Sequence, residues 1–277
     1  MVLTRVLGAG LRACLLVALI VLPSLMLPSA SPGNSDALAL IAVVAAAITF
    51  AEYYVQFPSI VEFRYAPPYN RLRFSAIFVN IVLLCLLALA SVSPDPINLK
   101  VAAVGTLIGD IIDFGYSPVR LIGVMLPPDA SQPQVDLLRA AAGISYLSSL
   151  VMVAVFAIFM RLFNWPAGHG TFNVWVNLPN FDPTSGQDVV QQLLRDSRVN
   201  FMLGLSLPFL TPLFAMFGAA IFDPYMLVNP RSMVWTVAIW AFLPASLMMR
   251  AIALARIAEM LSRRRVQLRD AQGWQAA

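Results

Sequence analysis

Four polar residues recur at helical spacing in an otherwise apolar stretch. Thr106, Asp110, Asp113 and Ser117 stand at i, i+4, i+7 and i+11, which places them on one face of a helix. The two carboxylates lie about one turn apart. Such a pair can line an ion path or face water at a membrane surface. It is a poor metal cage, because hard divalent cations need more oxygen ligands than two carboxylates supply.

A second constellation lies at 56–73, which reads Gln-Phe-Pro-Ser-Ile-Val-Glu-Phe-Arg-Tyr-Ala-Pro-Pro-Tyr-Asn-Arg-Leu-Arg. Tyr65 and Tyr69 flank Pro67-Pro68, which blocks helix at Ala66. Arg64, Arg71 and Arg73 surround them, and Glu62 is placed to pair with a nearby arginine. Tyrosine and arginine suit the lipid headgroup layer, and they also dominate protein-protein hot spots. Trp175 joins this set of docking candidates from a later loop, where Thr171–Leu178 alternates apolar and polar side chains as an extended segment does.

Other chemistries lack their parts. The chain has a single histidine, His169, which rules out a multi-histidine metal site or bis-imidazole haem. No phosphate-binding glycine loop, nucleophile elbow or zinc-protease helix occurs in the sequence, so no catalytic residue, cofactor or metal is assigned. Cys14 and Cys85 fall in apolar runs and read as packing residues. Arginine clusters beside apolar runs meet anionic lipid headgroups, so the charge of +4 does not point to nucleic acid.

These residues must be positioned by membrane helices. The chain is 60% hydrophobic with a mean hydropathy of +0.79. Six runs are long and apolar enough to cross a bilayer: about 7–27, 37–55, 74–92, 140–162, 199–222 and 233–255. The first resembles a signal peptide but reads as a retained anchor, since Pro28 sits badly for cleavage after Ala30. A seventh run, about 99–125, contains Asp110, Asp113 and Arg120, and charge at mid-bilayer is costly.

The arginines decide between six and seven crossings. With six, and the N-terminus in the cytoplasm, 14 of the 18 basic residues lie inside; with seven, only 8 do. Cytoplasmic loops are the basic ones. The expectation is therefore an all-α polytopic bundle, forming a single integral membrane domain, with six spans plus an outer-face amphipathic or re-entrant helix ending near Pro118. Loops 56–73 and 163–198 and the 256–277 tail are cytoplasmic on this map. A short helix over Ser185–Asp196 rests on the membrane surface ahead of the fifth span. The near absence of lysine beside abundant arginine and alanine suggests a GC-rich bacterial genome, and the expected location is the bacterial inner membrane.

The spans hold almost no mid-membrane ionisable groups, whereas coupled transporters commonly bury them there. The functional expectation is a non-catalytic accessory, scaffold or assembly component with a membrane-protein partner. The alternative is a channel or facilitator with Asp110 and Asp113 at its outer mouth, and a lipid-processing enzyme ranks behind both.

Overall fold

The computed structural model describes residues 2–28, 35–57, 59–163, 165–166, 177–179, 181, 188–217 and 223–275. These form helices α1 (Val2–Met26), α2 (Ser35–Tyr54), α3 (Tyr69–Leu89), α4 (Pro96–Ile112), α5 (Pro118–Gly123), α6 (Gln132–Leu162), α7 (Val189–Phe217) and α8 (Pro230–Gln275), with a 3-10 turn at Pro224–Leu227. No strand occurs among the described residues. Six helices are long and apolar enough to cross a membrane: α1, α2, α3, α6, α7 and α8. The chain is a multi-pass helical membrane protein.

Antiparallel α3 and α6 run through the middle of the bundle. Tyr69 meets Phe156 near one end, and Ser145 meets Asn80 at 3.2 Å further along. The bundle has two packed cores. One gathers Phe63, Tyr69, Phe156, Trp165 and Met249; the helix termini there carry most of the arginines, and we call it the arginine end. The other gathers Leu27, Ile81, Ile122, Leu138 and Val234 at the far end. The α1–α2 hairpin sits at the side, and α2 exposes Leu40, Ile41, Val43, Val44 and Ile48. Cys14 is exposed on α1 while Cys85 is buried, so only Cys85 is a packing residue.

Several boundaries differ from the sequence reading. The third span begins at Tyr69, so Arg71 and Arg73 lie on α3 rather than in a loop. The fourth begins at Gln132, eight residues early: the Gln134 side chain accepts the Ser131 N–H at 2.8 Å, and Pro133 occupies a first-turn position where its missing N–H costs nothing. The short surface helix and the fifth span are one continuous helix, α7. Its start is marked by Asp188, whose carboxylate accepts the Val190 N–H at 3.2 Å. The connections at 29–34 and most of 167–187, including His169, Ser185 and the 171–176 part of the alternating segment, lie outside the described residues.

One proline gap in α7 is filled from α8. Pro212 has no N–H to offer the Pro208 carbonyl one turn earlier. The indole N–H of Trp240 on α8 donates to that carbonyl instead, at 3.2 Å. The helices approach closely beside it: a Cβ on Gly204 would lie 2.7 Å from the Pro244 oxygen.

Helix α4 has 17 residues, about 25 Å at 1.5 Å each, and it is not among the six candidate spans. It reaches α6 through glycine. A Cβ on Gly143 would sit 2.8 Å from the Gly109 backbone, and one on Gly105 would sit 2.8 Å from the Ile144 side chain. Small residues let helix backbones meet at such distances. The helix stops at Ile112, short of Pro118. Asp113 ends it, Tyr116 adopts a left-handed φ of 64°, and Ser117 caps α5 by accepting the Arg120 N–H at 3.1 Å.

Candidate functional site

The arginine end is built from segments far apart in sequence. Glu52, in the last turn of α2, is buried. Its carboxylate accepts the backbone N–H groups of Ser59, Ile60 and Val61 at 3.0–3.2 Å. Arg64 turns back on the same helix end and donates to the carbonyls of Glu52 and of Tyr53, the latter at 2.9 Å. A helix C-terminus leaves such carbonyls unpaired, so one guanidinium supplies what the helix lacks. That guanidinium also lies over the Tyr53 and Tyr65 rings.

The loop is then fastened to the rest of the protein. Glu62 takes both oxygens to Arg250 of α8, at 2.7 and 2.8 Å. The Phe63 N–H donates to the Asn177 carbonyl at 2.7 Å, with Phe63 at a φ of 54°. Tyr65 N–H donates to the Asn177 side chain at 3.1 Å. Trp165, buried against Phe63 and Phe156, donates its indole N–H to the carbonyls of Ala66 and Pro67 at 3.3 and 3.1 Å. Asn70 donates to the Glu62 carbonyl at 2.7 Å.

The docking candidates divide accordingly. Tyr69 is 1% exposed and packs on Phe63 and Phe156, so it belongs to the core and offers no surface to a partner. Arg73 lies over the Tyr69 and Phe242 rings and approaches Ser246. Arg64 is engaged with α2. Tyr65 is 53% exposed, and Arg71 is also exposed. Trp175 lies outside the described residues. Beside Tyr65, the loop exposes Phe57 (71%) and Ile60 (63%), two apolar side chains whose presence in a polar loop is readable in the sequence. Arg250 and Trp165 could not be found from spacing, because their partners lie 188 and 99 residues away.

At the far end the acidic stripe is split. Thr106 donates to its own helix, at the Ala102 carbonyl. Asp110 and Asp113 both meet Arg139 of α6, at 3.4 and 3.1 Å. Asp113 also meets Arg120 of α5 at 2.6 Å, and Asp136 reaches Arg139 at 3.4 Å. Ser117 is buried as a cap. The four residues therefore do not share a face, since the helix ends between Asp110 and Ser117. The carboxylates are bridged by guanidinium groups and join α4, α5 and α6. Among the described residues, no group of three or more His, Cys, Asp or Glu side chains could hold a metal.

Outside the spans, Asp188 lies 2.6 Å from Arg265 of α8. The hydrogen bond from Arg265, then the one from the Val190 N–H, hold its carboxyl below the usual 3.8.

No family model, curated protein or solved structure matches this chain, so its function is read from its own residues.

Proposed function

We propose that the protein is a non-catalytic accessory or assembly subunit of a complex in a bacterial inner membrane, with both termini in the cytoplasm. Its arginine end faces the cytoplasm on this reading, because basic residues stay on that side. One observation carries the docking role. A loop fixed by Glu52, Arg64, Glu62–Arg250 and Trp165 leaves Phe57, Ile60 and Tyr65 exposed, with Arg71 exposed in the first turn of the helix that follows. Rigid aromatic and arginine side chains bind with little loss of conformational freedom, and they are enriched at hot spots.

The partner is a membrane protein that covers this loop. Purification from the native membrane in mild detergent brings down a stoichiometric partner. Phe57→Ala combined with Tyr65→Ala, or Arg71→Ala, releases it while leaving membrane level and thermal unfolding unchanged. A clean homo-oligomer with nothing attached sinks the reading, and so does a partner retained by all three substitutions.

The channel alternative is weaker for a physical reason: the two aspartates it needs at a mouth are already paired with Arg120 and Arg139.

A further inference from the structure

A groove of ≈ 570 Å³ lies between α3, α4 and α6. Its existence follows from the length of α4. Gly105, Gly109 and Gly143 bring that short helix onto α6, and among the described residues only α3, α4 and α6 line the space beside it. The walls run from Leu83 to Leu72 on α3 and from Ile144 to Val155 on α6. Each wall is about 16 Å long at 1.5 Å per residue, roughly one leaflet of a 30 Å hydrocarbon core. Val79, Val104 and Val151 stand exposed along it, so it opens sideways, toward lipid.

Among the described residues one charged side chain lines the groove: Lys100, the only lysine in the chain. It lies early in α4, a short turned connection beyond the end of α3. Its situation differs from that of the far-end arginines. Arg120 and Arg139 are paired with aspartates, and Arg231 donates to the Ser24 and Leu27 carbonyls. Lys100 makes no ion pair among the described residues.

We propose that this groove holds one anionic phospholipid, with an acyl chain between α3 and α6 and its phosphate on the Lys100 ammonium. The chemistry selects the occupant. A crevice open to hydrocarbon fills with an apolar chain rather than water, and a lysine stem can lie along that chain while its ammonium reaches headgroup depth. Basic residues between membrane helices recognise anionic headgroups. A protein helix laid in the groove would have to bring an acidic side chain into the membrane to meet Lys100, which is costly, whereas an anionic lipid carries its charge at headgroup depth.

The test uses the full chain in mild detergent, offered phosphatidylglycerol or phosphatidylcholine with identical acyl chains, with bound lipid read by native mass spectrometry. The wild type retains one phosphatidylglycerol, preferred over phosphatidylcholine by about fivefold, as one lysine near a headgroup contributes. Lys100→Gln abolishes the preference. Ala76→Phe, which fills the groove, abolishes retention of both lipids. Val151→Trp at the exposed rim does the same without disturbing a buried contact, which covers the case in which Ala76→Phe fails to fold. Equal retention of the two lipids by the wild type, or a preference that survives Lys100→Gln, means ordinary surrounding lipid only and overturns the proposal. Retention that survives Val151→Trp, or a second chain occupying the groove, overturns it too.

Discussion

The Arg250 guanidinium holds both carboxylate oxygens of Glu62, at 2.7 and 2.8 Å, and so ties the last span to the loop between the second and third. Both side chains are largely shielded, at 27% and 14% exposed. Removing either partner leaves a charge shielded from water and unpaired. Arg250→Ala and Glu62→Ala are each expected to destabilise the protein by about 2 kcal/mol, with the double variant little worse than either single one. Unfolding in graded denaturing detergent measures the three. Additive losses would show that the pair is not coupled.

Trp240 and Pro212 make a second cycle. Trp240→Phe keeps the ring but leaves the Pro208 carbonyl without a donor, at a cost of about 1–2 kcal/mol. Pro212→Ala restores a backbone N–H one turn along the same helix. In that background Trp240→Phe is expected to cost at least 1 kcal/mol less. The same unfolding assay applies, and an unchanged cost means the indole acts through packing alone.

Two glycines give opposite signs. Gly143→Ala places a methyl 2.8 Å from the Gly109 backbone, which must move, and the expected loss is about 1–3 kcal/mol. Gly10 on α1 has nothing within 4 Å of an added Cβ. Gly10→Ala is expected to stabilise by roughly 0.5–1 kcal/mol through helix propensity. Equal responses at the two sites would count against the α4–α6 contact.

Asp110→Asn with Asp113→Asn separates strut from pore. Because Arg139 and Arg120 already bridge these carboxylates, ion or solute flux in proteoliposomes is expected to equal that of the wild type. The cost is in stability, at most about 1 kcal/mol given the exposure of Arg120 and Asp110. A changed flux would restore the pore reading.

The spans are legible because hydropathy needs no tertiary information, and the structure holds six helices long and apolar enough to cross, as the apolar runs imply. The Gly105-x-x-x-Gly109 spacing gains its meaning only once α6 lies against it, where an added Cβ would meet Ala140 and the Arg139 backbone. The site is less legible. Tyr69 and Tyr65 look alike in sequence, yet one starts α3 against Phe156 and the other points outward. Asp113 continues the helical spacing of Asp110, but Pro118 and the turn before it end the helix. The partners of Glu62 and Ala66 lie on other helices and loops, and no local pattern encodes them.

Helix α8 runs 46 residues without interruption, about 69 Å at 1.5 Å each. A bilayer core accounts for some 30 Å of that. What remains is a stiff mast, braced near its base where Arg265 grips Asp188. The rod that crosses the membrane is thus the same one that carries Arg263, Arg264 and Arg265, so those charges keep a fixed distance along one axis from the apolar span.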